Sequence, residues 1–445
     1  MKYFGTDGIR GKATEVFRPE FVFKLGMAAA KILAGRVEGK KPLILIGKDT
    51  RISGDFLENA LASGMAAGGC DVILLGVIPT PGVAVMTGIL EADASAVISA
   101  SHNAYYDNGI KFFDKIGHKL PDDVEEEMEA FIDNADVVFA ADEELGRIEV
   151  YPNAAGEYGA WLQEGQSPDL RGLKIVVDTA NGAASVIAGT LFESLGGAVV
   201  CMANEPDGCN INRDCGSTHI EALCKRVVEE RADIGVAFDG DADRMLAVDE
   251  NGQPVDGDHI LAILAKDLKE KDQLAENELV VTQMSNMGLR LAMEKLGVSV
   301  AETKVGDRYV LERMLESGSV IGGEQSGHII LRMFNTTGDG EAAALRLLTV
   351  MQETGKPLSE LAKVMTSMPQ YLVNQNVKDK TSWQKDDEVM SLINASTEKL
   401  AGKGRIVIRP SGTEPLVRVM AEGESLDEIR AIVDDIAALL DKKYN

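Results

Sequence analysis

The chain has 445 residues, with 45 basic and 71 acidic side chains and a net charge of −26. This charge argues against nucleic acid or an anionic membrane surface as a partner, and an anionic substrate would need a local cluster of cations. No apolar run reaches the roughly 20 residues of a membrane helix, and the first residues lack the apolar core of a secretory signal. We therefore expect about three or four domains, a cytoplasmic location, and five cysteines as reduced thiols.

The first predicted unit alternates strands and helices, as a doubly wound α/β domain does. Its helices and strands are predicted at 19–34, 43–47, 54–68, 72–75, 94–98 and 109–113. Ser53 precedes the second helix and is predicted to cap it. A polar, acidic stretch near 134–152 marks the first boundary, so the sequence predicts a domain over residues 1–152.

Two further α/β units and a smaller α+β unit are predicted to follow, over 153–253, 254–368 and 369–445. In the first of these, a helix over 184–195 separates strands at 173–178 and 198–202, and further strands lie at 234–238 and 245–249. The next unit has helices at 257–270 and 286–296, a strand at 278–283, another helix after Arg308 and a helix from about 338 to 352. The last has strands at 371–377, 405–408 and 416–420 and helices at 383–400 and 425–441.

A buried strand ends abruptly in Ser99-Ala100-Ser101-His102-Asn103. A hydroxyl beyond the carboxyl end of such a strand is placed to act as a nucleophile or phosphate carrier, although serine and asparagine also form ordinary turns. Lys111 is predicted on the returning strand, beside this loop. Near the N-terminus, three glycines surround Arg10, whose guanidinium suits an oxyanion; a glycine turn with a surface arginine is the simpler alternative.

Three carboxylates, Asp239, Asp241 and Asp243, follow another predicted strand at every second position. Anions so close together repel each other unless a cation lies among them. Oxygen ligands alone indicate Mg²⁺, Mn²⁺ or Ca²⁺. An EF-hand is disfavoured because Arg244 stands where glycine is needed and the flanks are predicted strands. A solvated acidic turn is the other alternative.

Two more loops carry polar groups between glycines or prolines. Gly323–His328 offers a carboxylate, an amide, a hydroxyl and an imidazole, which could bracket sugar hydroxyls or an amine. Arg409–Pro415, with Arg418 on the next strand, is typical of a phosphate site, with a plain Pro-Gly turn as the alternative. Taken together, the motifs predict phosphoryl transfer to and from a serine, aided by a divalent cation, in one cleft between four domains.

These motifs resemble those of the α-D-phosphohexomutases, in order and spacing, along essentially the whole chain. The matching segments are Gly5–Gly11, Ser99–Asn103, Asp239–Arg244, Gly323–His328 and Arg409–Pro415. The opening segment, residues 106–113 and the Gly323 loop are most similar to the branch of the family that acts on glucosamine phosphates. The resemblance implies three successive doubly wound α/β domains and a smaller C-terminal α+β domain around one central cleft.

The resemblance further implies an isomerase that interconverts glucosamine 6-phosphate and glucosamine 1-phosphate through phosphoserine at Ser101 and a 1,6-bisphosphate intermediate. Such an enzyme would supply UDP-N-acetylglucosamine for cell-wall synthesis. Mg²⁺ would be a cofactor, glucosamine or glucose 1,6-bisphosphate an activator, and phosphorylation of Ser101 a requirement. Small sugar phosphates would be its partners, and a homodimer is compatible with the family.

The resemblance assigns roles to individual residues. Catalytic roles fall on Ser101, Arg10, Lys111, His328 and Arg244, and metal binding on Ser101, Asp239, Asp241 and Asp243. Substrate contacts are expected from Glu324, Ser326, His102, Thr303, Gly306 and Asp307. Phosphate binding is expected from Arg409, Ser411, Gly412, Thr413 and Arg418. A phosphomannomutase/phosphoglucomutase, a non-catalytic sugar-phosphate sensor and a phosphatase are the competing interpretations.

The sequence departs from the family pattern at two positions. Ala104 stands where the family usually has proline after Ser-His-Asn, which frees φ and restores an N–H, so we expect a more mobile serine loop. Ala242 stands where the family usually has glycine between the second and third aspartates. If that position needs a positive φ, alanine costs about 1 kcal/mol there. Neither change removes a reacting group, so activity is still expected.

Overall fold

The computed structural model describes residues 2–5, 7–33, 40–134, 136–411 and 415–445. The chain divides into two compact units, one of Met1–Met284 with Val298–Val364 and the other of Ser285–Gly297 with Met365–Asn445. Among the described helices, none is long and apolar enough to cross a membrane.

The larger unit contains three sheets, of which the first has six strands. The strands are β1 (Ile9–Lys12), β2 (Leu43–Lys48), β3 (Asp71–Val77), β4 (Ala94–Ile98), β5 (Asp107–Asp114) and β6 (Ile148–Val150). The accompanying helices are α1 (Ala13–Val16), α2 (Pro19–Leu33), α3 (Gly54–Ala67), α4 (Thr80–Ile89), α5 (Asp122–Asn134) and α6 (Ala154–Gly165). The strand order is β1-β5-β4-β2-β3-β6, with β2 parallel to β3 and β4. Since β4 is buried at every position, its sequence is a continuous run of small and β-branched residues.

The second sheet has the strand order β11-β10-β9-β7-β8. These strands are β7 (Lys174–Asp178), β8 (Ala198–Met202), β9 (Ile234–Phe238), β10 (Met245–Asp249) and β11 (Pro254–Val255), and the helices are α7 (Ala188–Ser194), α8 (Glu221–Glu230) and α9 (Gly257–Glu270). β9 and β10 form an antiparallel pair. The turn between them therefore lies at the carboxyl end of a fully buried strand.

The third sheet, of order β13-β12-β14-β15, completes the larger unit. Its strands are β12 (Glu278–Thr282), β13 (Ser299–Thr303), β14 (Ile321–Gly323) and β15 (Ile329–Leu331). The helices of this stretch are α10 (Met287–Leu296), α11 (Asp307–Ser317), α12 (Gly340–Thr354) and α13 (Leu358–Leu361). Of these, α10 belongs to the smaller unit. A short antiparallel β14–β15 pair presents the connecting loop at the sheet edge.

The smaller unit has a three-stranded antiparallel sheet of order β16-β18-β17. Its other elements are β16 (Gln370–Asn376), α14 (Asp387–Leu400), β17 (Gly404–Pro410), β18 (Leu416–Gly423) and α15 (Leu426–Tyr444). One apolar cluster, which includes Trp383, Val419 and Ile436, joins the sheet to α14 and α15. The expected α/β class with a C-terminal α+β region is confirmed. The domain limits and the four-domain cleft stay predictions.

Local predictions failed at a few places. Ser53 precedes α3 but does not cap it; its hydroxyl instead accepts a hydrogen bond from Asn108 at 2.8 Å. The helix expected over 184–195 is a short 3₁₀ turn, Ala183–Val186, followed by α7. No strand was predicted in the N-terminal glycine segment, yet part of it forms β1, which pairs with the first half of β5, residues 107–110.

Candidate active site

Ser101 lies in the turn after β4, where it is almost completely buried. Its Oγ donates to Oδ2 of Asp239 at 2.5 Å and lies 3.3 Å from Nδ1 of His102. Burial, with Arg244 and Arg10 nearby, lowers the pKa of His102 to about 4. Ser101 has a φ of 51°, an uncommon left-handed conformation for a residue with a side chain. The hydroxyl is therefore presented by a constrained turn beside a carboxylate.

The three aspartates converge in the β9–β10 turn. One carboxylate oxygen from each of Asp239, Asp241 and Asp243 lies within 4.8 Å of the others, and all three residues are buried. Burial first, then Asp243 and Asp241, raises the pKa of Asp239 well above its usual range. Strands rather than helices flank the turn, which excludes an EF-hand.

The triad fits a hard divalent cation. Oδ1 of Asp241 and Oδ1 of Asp243 are buried and lack a hydrogen-bond partner among the residues that the structure describes. Buried carboxylate oxygens without partners are costly, and oxygen ligands at this spacing suit Mg²⁺. Thr80, at the start of α4, fixes this loop, since its Oγ1 donates to Oδ2 of Asp241 at 2.7 Å and its N–H to the Asp241 carbonyl at 2.9 Å.

Positive charges surround the carboxylates. Nζ of Lys111 is buried and lies 3.1 Å from Asp241, 3.2 Å from Asp7 and 3.8 Å from Asp243. Although burial alone would lower the pKa of Lys111, these carboxylates raise it. Arg10 pairs with Asp7, and Nε of Arg244 lies 3.8 Å from Asp243. The local cation cluster expected from the net charge is therefore present.

The Gly323–His328 loop meets the metal-binding turn through its backbone. Arg244 and His328 form an isolated β-bridge, and the Met245 N–H donates to the Gly327 carbonyl at 3.0 Å. Nε2 of His328 lies 3.4 Å from Asp307 and 4.0 Å from Asp243. Neither ring nitrogen of His328 has a hydrogen-bond partner within the described ranges. The imidazole is therefore next to the carboxylates and available to a ligand.

The expected sugar-contact residues differ in how they are engaged. Glu324 accepts a hydrogen bond from the Gly306 N–H at 3.1 Å, so these two lie together. Asp307 lies 3.4 Å from Nε2 of His328 and pairs with Nζ of Lys119. Ser326 is exposed. Thr303 donates to the Lys304 carbonyl at 2.9 Å, an interaction that occupies its hydroxyl.

The phosphate-site residues lie in the smaller unit. Arg409 on β17 and Arg418 on β18 are directly paired across the strands. Burial, and then Arg418, lowers the pKa of Arg409. Two cations opposite each other are unfavourable unless an anion binds between them. Ser411 is buried and its carbonyl accepts from Nζ of Lys380 at 2.7 Å, whereas Gly412 and Thr413 lie outside the described residues.

Several site residues were not predicted. Asp7, Lys119 and Thr80 contact predicted site residues, and Arg51 lies beneath the serine loop. Lys119 bonds to both Asp7 and Asp307 at 2.5 Å. A weak signal existed for Asp7 and Arg51, because each is a charged residue in a glycine-rich or strand-end segment. Lys119 carried no such signal.

Comparisons with known proteins cover nearly the whole chain. Family models of phosphoglucomutase/phosphomannomutase alpha/beta/alpha domains I, II and III match residues 1–138, 161–252 and 256–368, and that of the C-terminal domain matches 372–439. A phosphoglucosamine mutase from Alkaliphilus oremlandii is 50% identical over 448 residues, which cover 100% of both chains. One from Carboxydothermus hydrogenoformans is 52% identical over 443 residues, or 99% of each.

A solved structure shares the fold. It is that of a phosphoglucomutase/phosphomannomutase family protein from Burkholderia thailandensis, with a TM-score of 0.83 and 23% identity. The similarity covers 100% of this chain and 98% of that one. At this identity it supports the architecture and nothing finer.

Proposed function

Because the chain belongs to the phosphoglucomutase/phosphomannomutase family, we propose that it interconverts glucosamine 6-phosphate and glucosamine 1-phosphate. The family matches confirm the resemblance to phosphohexomutases, and the chain is accordingly an isomerase. Relatives that are 50% and 52% identical over essentially their whole length are phosphoglucosamine mutases, which favours glucosamine over mannose or glucose phosphates.

The observation that carries the proposal is the position of Ser101. Its hydroxyl lies 2.5 Å from Asp239, which belongs to a buried group of three carboxylates. Mere binding of a sugar phosphate requires no hydroxyl at that place. A serine that carries a phosphoryl group beside a divalent cation does require it.

The aspartates fit the cation that the family implies. Asp239, Asp241 and Asp243 would hold Mg²⁺ together with a phosphate oxygen on Ser101. When bound there, Mg²⁺ supplies positive charge to the phosphoryl oxygens during transfer. A phosphoserine adds about −1.5 to −2 charges beside three carboxylates, so the neighbouring cations are needed as well.

The chain's own groups account for the transfer. The bond between Oγ of Ser101 and phosphorus breaks as O1 of glucosamine 6-phosphate bonds to the same phosphorus. The proton of the sugar O1 hydroxyl passes to His328, whose ring nitrogens are unpartnered in the described structure. Lys111 was the other candidate for this proton, but its carboxylate neighbours raise its pKa, so it stays protonated and acts as a cation instead. After the 1,6-bisphosphate turns over, its 6-phosphate returns to Ser101 and glucosamine 1-phosphate leaves. Arg10, Lys111 and Arg244 stabilise the charge of both transfers.

The remaining assignments follow from the same proposal. Glu324, Ser326, His102, Thr303, Gly306 and Asp307 would contact the sugar, and Arg409, Ser411, Gly412, Thr413 and Arg418 would bind the phosphate that is not reacting. Glucosamine or glucose 1,6-bisphosphate would load Ser101. The product would supply UDP-N-acetylglucosamine for the cell wall. The cytoplasmic location and the homodimer stay predictions.

A ³¹P NMR competition tests the proposal. Purified protein, Mg²⁺ and a trace of glucose 1,6-bisphosphate are mixed with glucosamine 6-phosphate and mannose 6-phosphate together. We expect a growing glucosamine 1-phosphate resonance while mannose 6-phosphate stays unchanged. Preferred turnover of mannose 6-phosphate would contradict the substrate, and release of inorganic phosphate would indicate a phosphatase.

The Ser101→Ala variant separates an enzyme from a sensor. The variant lacks the carrier oxygen, so turnover should disappear. A sensor would bind its sugar phosphate equally well with or without this hydroxyl. Isothermal titration of the wild type and the variant, alongside the turnover assay, distinguishes the two.

A further inference from the structure

A single buried guanidinium organises the turn that carries Ser101. Arg51 is 3% exposed. Its Nη2 donates to the carbonyls of Ser101 and Asn103, each at 2.9 Å. Its Nη1 donates to the carbonyls of Ala104 at 2.5 Å and Asp107 at 3.0 Å. Four carbonyl oxygens of one loop therefore converge on one planar cation.

The same guanidinium is linked to the Ser101 N–H. Oδ2 of Asp49 accepts from Nε of Arg51 at 2.8 Å and from Oγ of Ser99 at 2.6 Å. The Ser99 hydroxyl in turn accepts from the Ser101 N–H at 2.9 Å. All of these groups are buried. Both the N–H and the carbonyl of Ser101 are thus held by one connected network.

A second donor comes from the segment between β8 and α8. Nδ2 of Asn212 donates to the Ser101 carbonyl at 2.8 Å and to the Asn103 carbonyl at 3.1 Å. Asn212 itself has a φ of 57°, a conformation that asparagine tolerates better than most residues. The Ser101 carbonyl therefore accepts hydrogen bonds from two side chains, those of Arg51 and Asn212.

These hydrogen bonds matter because the backbone of Ser101 is in an unfavourable conformation. A non-glycine residue with a φ of 51° persists only where its surroundings hold it. Carbonyl dipoles that face one another also repel unless a cation lies among them. Ala104 lacks the ring that would fix φ at that position, so the loop depends on these external contacts for its shape.

We propose that Arg51 is a positioning residue that, together with Asn212, holds Ser101 in the left-handed conformation and so directs its Oγ toward Asp239. The inference rests on the proposed phosphoryl transfer through Ser101. By binding four carbonyls of the turn, Arg51 fixes the direction in which the Ser101 hydroxyl points. Lysine would keep the charge, but as a point charge it cannot reach four carbonyls with a rigid fork of donors.

The test measures how fast Ser101 is phosphorylated. Wild type, Arg51→Lys and Asn212→Gly are incubated with Mg²⁺ and glucose 1,6-bisphosphate, and phosphate incorporation is followed by intact-protein mass. Asn212→Gly removes the amide donor while tolerating the positive φ. Arg332→Lys is the matched control, since Arg332 also donates to two carbonyls, those of Met314 and Ser319, away from the site.

We expect Arg51→Lys and Asn212→Gly to load Ser101 about 100-fold more slowly than wild type, since small misplacements of a reacting atom have effects of this order. Their kcat should fall while KM for glucosamine 6-phosphate stays within about twofold, because neither side chain would touch the sugar. Arg332→Lys should load at the wild-type rate. A general loss of stability would slow all three variants alike.

Wild-type loading rates in both Arg51→Lys and Asn212→Gly would overturn the inference, as would equal slowing in Arg332→Lys. If Arg51→Lys fails to fold, the rate of Asn212→Gly decides in the same way. A wild type that never phosphorylates Ser101 would contradict the proposed function itself and this inference with it.

Discussion

Ala242 and Gly338 show how single backbone positions shape the site. Ala242, inside the aspartate turn, is buried and has a φ of 57°, so the condition under which alanine was expected to be costly is met. Its carbonyl accepts from the Gly340 N–H at 3.0 Å, which ties the turn to the start of α12. Gly338 lies against the ring of His328, where a Cβ would come within 2.4 Å of Nε2.

Replacing Ala242 by glycine should relieve strain. We expect Ala242→Gly to leave the free energy of unfolding unchanged or raise it by up to about 1 kcal/mol, because glycine adopts positive φ freely. Ala262→Gly, in the buried interior of α9, should lower it by about 1 kcal/mol. Urea midpoints of the two variants give the comparison. Equal destabilisation by both changes would show that the turn does not strain alanine.

Adding a methyl group at Gly338 should displace His328. At such a distance the His328 ring must move to make room for the methyl group, so we expect kcat of Gly338→Ala to fall by about 100-fold with the fold retained. Gly88→Ala in α4 is the control, since a Cβ there meets no described atom within 4 Å. Steady-state kinetics of both variants test this. An unchanged kcat in Gly338→Ala would remove His328 from the proposed proton transfer.

At the scale of elements, three strand ends build the larger unit's site. β4 ends before Ser101, β9 before Asp239 and β14 before Glu324, as expected where open sheets place ligands beyond the carboxyl ends of strands. Strands β4 and β9 could be predicted because in each a continuous apolar run stops abruptly at polar residues. β1 could not be predicted, because alternating glycine and charged residues hide a strand whose pairing with β5 is decided by tertiary structure.

The contacts that Arg51 and Lys119 make with the site could not be predicted from the sequence, because they too are decided by tertiary structure. The carbonyls that Arg51 binds are 50 to 56 residues away along the chain, and the contact of Lys119 with Asp307 spans 188 positions. Spacing along the chain gives no sign of such contacts. The prediction that Ser53 caps α3 was wrong for the same reason. Its hydroxyl binds Asn108, which lies on β5, far away in the sequence.

Helix α5 carries a pH-dependent contribution to stability. Glu125 is buried there, and burial is the main cause that raises its pKa to about 7. The folded-state pKa exceeds the usual value of 4.5, so folding is favoured by the protonated form. This stability is present below about pH 4.5 and is lost as pH rises through about 7.

Glu125→Gln should therefore stabilise the protein only at higher pH. We expect a gain of about 2 kcal/mol at pH 8 and almost none at pH 4. Glu126→Gln, at an exposed neighbouring position, should show no such difference between the two pH values. Urea unfolding at both pH values measures this. A gain independent of pH would contradict the assigned cause.

At the scale of the whole molecule, a chain of net charge −26 concentrates cations at one site. The net negative charge repels a sugar phosphate, but salt screens this repulsion beyond about 8 Å. Within that distance, the clustered cations attract the phosphate. Three buried aspartates, Asp239, Asp241 and Asp243, lie close together at this site. Under the proposed binding of a cation by these aspartates, the stability of the molecule should depend on that cation.

Mg²⁺ should stabilise the folded chain by preferential binding. At about 100 times its dissociation constant, we expect a gain of about 2.7 kcal/mol, seen as a higher thermal midpoint, and chelation should abolish turnover. Asp241→Asn should lose most of this gain, whereas Asp272→Asn, at an exposed position, should keep it. A wild-type thermal midpoint that does not change when Mg²⁺ is added would show that the three aspartates are not a Mg²⁺ site.

The central claim is that Ser101 carries a phosphoryl group to the sugar, and a single turnover tests it most directly. The protein is labelled with ³²P at Ser101 by a labelled 1,6-bisphosphate, freed of excess ligand, and mixed with Mg²⁺ and glucosamine 6-phosphate. We predict that the label leaves the protein only when the sugar phosphate is present and appears in glucosamine 1,6-bisphosphate and its monophosphates. Label that stays on Ser101, or that appears as inorganic phosphate, would contradict the claim.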